Sequence, residues 1–135
     1  MKLCEETITV FNARLDEETG YDVYIPTVIR GVSWYSTITS NVDSSGLNAA
    51  NMFIIRIPVD ADFSEKGYTE PVDYPESDPD SFFTLQQGDI IVHHAVTERM
   101  SPAALKEQYG EIVTILGVTD NRRALNAKHW KVVGK

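Results

Sequence analysis

With one cysteine, Cys4, the 135-residue chain cannot close an internal disulfide, and it lacks the further thiols of a structural zinc site. No apolar run approaches the roughly 20 residues that cross a bilayer. Met1 to Glu6 turns acidic where a secretory leader turns apolar, so a cytoplasmic protein is expected. The eight glycines are scattered, and none is spaced to set backbone amides around a phosphate. Of three histidines, His93 and His94 are adjacent, which on a strand points them to opposite faces, and His129 stands alone. That spacing matches no zinc pattern. There is no nucleophile elbow, and Ser44-Ser45-Gly46 lies in a polar stretch unsuited to holding a nucleophile rigid. No catalytic residue, metal or cofactor is expected, and the chain reads as a non-enzyme.

Bases are also scarce: 12 Lys and Arg stand against 20 Asp and Glu, for a net charge of −8. The excess is local. Asp60, Asp62, Glu65, Glu70, Asp73, Glu76, Asp78 and Asp80 face only Lys66, so eight acids and one base give this segment −7. After Asp120 the sign reverses with Arg122, Arg123, Lys128, Lys131 and Lys135. Such polarity suits stacking against another subunit and opposes a surface that grips nucleic acid, which needs a basic stripe. A solvated acidic loop kept for solubility fits the same residues. Calcium is not expected there, because the acids lack the Asp-x-Asp-x-Asp-Gly order.

What is present is β-forming. Hydrophobic residues make up 42% and charged residues 24%, as in folded soluble domains, and the length suits one domain spanning 1–135. Thr7 to Leu15 reads as a first strand, with Ile8 and Val10 on one face and Thr7, Thr9 and Phe11 on the other; Asp16 to Gly20 closes a hairpin. Tyr21 to Thr39 is rich in β-branched and aromatic residues, with an edge position expected at Pro26, a bend near Gly31, and Val28, Val32, Trp34 and Ile38 in the core. Asn41 to Asn51 reads as a long exposed loop, and Met52 to Val59 as a half-buried strand. Pro71, Pro75 and Pro79 exclude a regular helix from the acidic segment, which Tyr68 and Tyr74 are placed to pin to the barrel. Ile90 to Val96 is a strand, Ser101 caps a short helix that stops at Gly110, Ile112 to Val118 is a strand, Asp120 to Arg123 a turn and His129 to Val133 the last strand. The fold class expected is mostly β: a small antiparallel barrel or sandwich with one short helix and long loops.

The order of these elements carries a resemblance. Ile8 to Arg14, Asp22-Val23-Tyr24 and Thr27 to Trp34 resemble the opening of small head-tail joining proteins from prophages of Gram-positive bacteria. The similarity continues through Phe53 to Pro58, Gln87 to Val92, Val118 to Arg123 and His129 to Val132. It implies a structural virion protein: a β-barrel subunit of a ring at the portal vertex that retains packaged DNA and docks the tail. Its partners would be portal, adaptor and tail proteins and further copies of itself, with DNA passing unbound and no membrane. It would sit in the bacterial cytoplasm during assembly and then in the virion. The acidic segment is longer than the family leads one to expect, and lining the channel, plugging it and embracing a neighbour all fit. Asp43, Ser44, Ser45, Gly46 and Leu47 form a second candidate interface loop. A tail-completion or other minor virion protein fits the same barrel. From another class, a small ligand-binding barrel would use Trp34, Tyr35 and Trp130 as stacking platforms for a sugar or oligonucleotide.

Overall fold

A computed structural model describes residues 5–43, 46–123, 125–126 and 128–135, with backbone alone for 37–51. In chain order the strands are β1 (Glu6–Leu15), β2 (Asp22–Asp43), β3 (Gly46–Pro58), β4 (Gly67–Tyr68), β5 (Phe82–Phe83) and β6 (Ile90–Val92), then β7 (Ile112–Asn121) and β8 (His129–Gly134). A short helix, α1 (Pro102–Gln108), precedes β7. Six of the strands close an antiparallel barrel in the order β1-β2-β3-β8-β7-β6, sealed where Thr9, Val10 and Phe11 of β1 pair with Val92, Ile91 and Ile90 of β6. Closure removes the free edges that a small open sheet would expose.

The period-two pattern of β1 sends Ile8 and Val10 inward, where they meet Ile29, Val32, Ile55, Ile57, Ile91, Ile115 and Val132. Each such side chain contributes about 1.5–3 kcal/mol on burial. The opposite face of β1 is covered as well. Phe11, with Ile90 and Val92 of β6, lies under α1 and packs with Val96 and Leu105 in a second cluster. Ser101 caps that helix, its side chain accepting from the Ala104 N–H at 3.3 Å, with proline at the first turn.

Gly31 adopts φ +90° where the β1–β2 register slips, Thr7 facing Arg30 and Glu6 facing Val32. The extra residue is a bulge, and it lets Ile29 and Val32, three apart, both enter the core. Pro26 lies within β2 opposite Phe11, in the part of the strand that pairs with β1 alone, since the pairing with β3 begins at Ser33. The far edge of that part is covered by residues 62–66. Arg30 and Asp62 exchange backbone bonds at 2.9 Å, the Ser64 hydroxyl donates to Val28 O at 2.7 Å, and Lys66 Nζ donates to Pro26 O and Thr27 Oγ1.

Three expectations are corrected. The stretch Asn41 to Asn51 is a loop only at its tip: β2 and β3 run through it in register from Thr37↔Met52 to Asp43↔Gly46. The β3–β8 pairing begins at Phe53 and the β1–β2 pairing ends at Val32, so residues 37–52 form a two-stranded ribbon beyond the barrel. Polar residues and Gly46 dominate this stretch, so it carries no apolar period from which strands could be read. The strand expected at Ile90 to Val96 ends at Val92, because the chain turns to let the Val96 N–H donate to Thr9 Oγ1 at 2.8 Å and its side chain join the cluster under α1. The turn expected from Asp120 starts later, since β7 stays paired to Asn121↔His129.

Candidate interaction surfaces

The acidic segment is anchored by its apolar residues. Phe83 and Leu85 enter the barrel core, Phe63 stacks on Phe83 at 5.2 Å and meets Trp130 edge-on, and Tyr68 packs on both Trp130 and Phe83. Tyr74, 1% exposed, lies under the Arg14 guanidinium at 5.0 Å, and Arg14 donates to Pro75 O and Ser77 O. Burial raises the Tyr74 and Tyr68 hydroxyl pKa values above their ordinary value, and burial lowers that of Lys66. Short strands β4 and β5 pair in parallel, and a single 3-10 turn at Tyr74–Glu76 lies between them in the chain. Tyr68 and Tyr74 do pin the segment, as the sequence suggests. Phe63 was missed because acids flank it, and Phe83 and Leu85 because their alternation covers three residues, too few to set a period.

The eight acids are therefore divided. Asp60 and Asp62 line a groove beside β2 and β3, and Glu65 is exposed at φ 67°. Glu70 accepts from Arg122 Nη2 at 3.1 Å. Asp78 holds its own turn, accepting from the Asp80 N–H and the Ser81 hydroxyl at 3.0 Å each, and those donors hold its carboxyl below the usual range. Asp73, Glu76 and Asp80 remain exposed without an ion pair among the described residues, beside Val72, which is 84% exposed. Of the second candidate loop, Asp43 and Gly46 face each other at the end of the ribbon and Leu47 pairs with Val42; Ser44 and Ser45 lie outside the described residues.

A different surface went unread. On the outer side of the barrel, Ser33, Arg56, Lys131 and Thr119 form one cross-strand row over β2, β3, β8 and β7. The next row holds Tyr35, Ile54 and Val133, with Leu116 exposed at the β7 bulge. Arg56 lies over the Tyr35 ring at 5.5 Å. An open groove of about 1140 Å³ runs along this side, with Arg30, Arg56, Lys128 and Lys131 in its walls against Glu6, Asp60 and Asp62. That is four bases and three acids, a slight positive excess on a chain of −8. None of the four bases forms an ion pair among the described residues.

At the rim of the barrel the His93 ring stacks on Trp34 at 4.4 Å, its Nε2 3.0 Å from Glu6 and its Nδ1 against Glu111. Both contacts are hydrogen bonds only when the ring carries both protons. Trp34 is half-buried and Trp130 is 4% exposed, both on the inward side, whereas Tyr35 points outward, so the three rings do not share one platform. Among the described residues no group of three or more His, Cys, Asp or Glu is placed to hold a metal ion. No helix among them is long and apolar enough to cross a membrane.

A family model described as "Family of unknown function (DUF6751)" matches residues 3–135. Neither the curated proteins nor the solved structures contain a match.

Proposed function

The chain belongs to the DUF6751 family, and we propose that it is a head-tail joining subunit of a phage-type particle, one copy of a ring at the portal vertex. The observation that carries this reading is the pairing of a closed barrel with a ribbon, residues 37–52, that among the described residues pairs with itself and no other strand. A rigid body and a projecting β arm suit a subunit whose work is contact with proteins above, below and beside it. The order of elements, similar to that of prophage head-tail joining proteins, supports the same role. Net charge of −8 lets DNA pass without being held, since like charges lower the affinity of the wall for phosphate. Portal or adaptor proteins on one side and tail proteins on the other are the proposed partners, in the host cytoplasm during assembly and then in the virion.

The test is deletion of the coding sequence from the phage or prophage that carries it. Full heads that leak DNA, separate tails, and restoration of joined particles by the supplied chain are the expected result. Joined, infectious particles without the chain would overturn the reading. Particles that keep their DNA but carry defective tails would assign it instead to tail completion.

A further inference from the structure

We propose that the outer face of β2, β3 and β8 around Tyr35, Arg56 and Lys131 is the seat for a second copy of this chain, whose acidic segment around Val72, Asp73 and Glu76 docks there head to tail. The inference deepens the ring reading and rests on it, naming the contact by which neighbours would meet.

Three observations converge. The outer face of β1 and β6 is roofed by α1, whereas among the described residues Tyr35, Ile54 and Val133, on the outer side of β2, β3 and β8, belong to neither apolar cluster. Next to that apolar row, Arg56 and Lys131 are direct cross-strand neighbours. Like charges placed opposite each other on a sheet are destabilising, and their cost falls when an anion arrives between them. Exposed aromatic and aliphatic side chains bordered by arginine make a common composition for the buried centre of a protein interface.

The complementary surface is on the same chain. Val72, 84% exposed, and Phe82, 40% exposed, are apolar residues presented among Asp73, Glu76 and Asp80. Apolar against apolar and acid against base, the two surfaces match in kind. They are also held in place differently: the acidic one is bound to Arg14 near the end of β1, and the basic row crosses from Arg56 near the end of β3 to Lys131 of β8. Because they are distinct patches, the contact is heterologous, and repeating it generates a ring when the rotation closes. A nucleic acid is the other polyanion that Arg56 and Lys131 suit, but the exposed Tyr35 and Leu116 beside them match a partner that brings an apolar side chain such as Val72, which a phosphate chain lacks.

Two variants of the full chain test the contact, R56E/K131E and D73K/E76K, alongside the wild type. All four positions are exposed or half-buried, and circular dichroism checks the fold of each. Sedimentation velocity over a concentration series should show wild-type self-association that weakens with salt, and weakening by about tenfold or more in either variant. An equimolar mixture of the two should associate again, because native and charge-reversed pairs of surfaces alternate along the assembly. The chain carrying all four changes should associate again with polarity reversed. A wild-type chain that stays monomeric at every concentration overturns the contact, as does association indifferent to both variants. Loss of binding to a labelled single-stranded oligonucleotide in R56E/K131E, without change in self-association, overturns it in favour of nucleic acid. The virion role is scored separately by the deletion phenotype, so rings that persist in R56E/K131E would reject this contact while leaving that role standing.

Discussion

Asn12 shows how one polar residue on a strand fixes a distant loop. Its side-chain amide donates to Thr84 O at 2.7 Å and Asp89 Oδ2 at 2.9 Å, and its carbonyl accepts from the Thr84 N–H at 3.1 Å. All three residues are buried. Asn12→Ala leaves those groups unpaired in a dry site, and should cost about 2–4 kcal/mol in urea unfolding. Burial raises the Asp89 pKa above its ordinary value, opposed by the hydrogen bonds from Asn12 and the Ala13 N–H. The raised folded-state value means that this group favours folding at pH below the ordinary carboxylate range, and that the contribution is lost as pH rises through the folded pKa. Removing the Asn12 donor pushes Asp89 further up, so the loss on going from acid to neutral pH should be larger in Asn12→Ala than in the wild type. A stability series from pH 3 to pH 7 reads the difference in slope. Asn12 gave no sign of this in the sequence: an Asn between apolar residues looks like a break in alternation, and its partners lie more than 70 positions away.

Arg122 is a latch of another sort. It donates to Asp120 at 2.6 Å and to Glu70 at 3.1 Å, and its guanidinium lies 5.1 Å from the Tyr68 ring and 5.2 Å from that of Trp130. Its hydrogen bonds hold the Asp120 carboxyl down at about 2. That pairing favours folding above the ordinary aspartate pKa and is lost as pH falls toward 2, though solvent screening keeps its worth small at so exposed a site. The stacking matters more. Arg122→Ala should cost about 1 kcal/mol, return Asp120 toward the ordinary range in an NMR titration, and speed protease cleavage between residues 69 and 81. Cleavage at the wild-type rate would show that Tyr68 and Tyr74 hold the segment unaided.

At the scale of elements, legibility followed burial. β3 and β8 were readable because one face of each is packed and the other open, and the Ser101-Pro102 cap fixed the start of α1. The ribbon was not, since the same strand pair loses its apolar alternation once it leaves the barrel. The interaction face was missed for a related reason: Arg56 and Lys131 are 75 positions apart and become neighbours only through the β3–β8 register. Because, among the described residues, 37–52 pair only with each other, replacing 38–51 by a two-residue Asn-Gly turn should leave far-UV circular dichroism barrel-like and the melting temperature within about 5 °C of the full chain. The same change should abolish joined particles under the proposed function. A collapse of the fold would mean that the ribbon supports the barrel.

For the molecule as a whole, the arrangement of its two apolar clusters governs how it comes apart. The barrel core and the cluster under α1 share no side chain, yet they occupy opposite faces of the same two strands: Val10 and Ile91 point in, Phe11, Ile90 and Val92 point out. Neither face can be lost without disturbing the β1–β6 seam that closes the barrel. Leu105, fully buried between α1 and that seam, is the sharpest probe. Leu105→Ala should cost about 2–5 kcal/mol, and the loss should appear in full in the unfolding of the barrel core. Trp130, buried on the far side from α1, reports that core by fluorescence in a Trp34→Phe background, while far-UV circular dichroism reports all strands. Coincident denaturation curves from the two signals, shifted together by Leu105→Ala, are expected of one cooperative unit. If the Trp130 curve stayed in place while the helix signal moved, α1 would be an independent flap and β1 alone would suffice to hold the barrel closed.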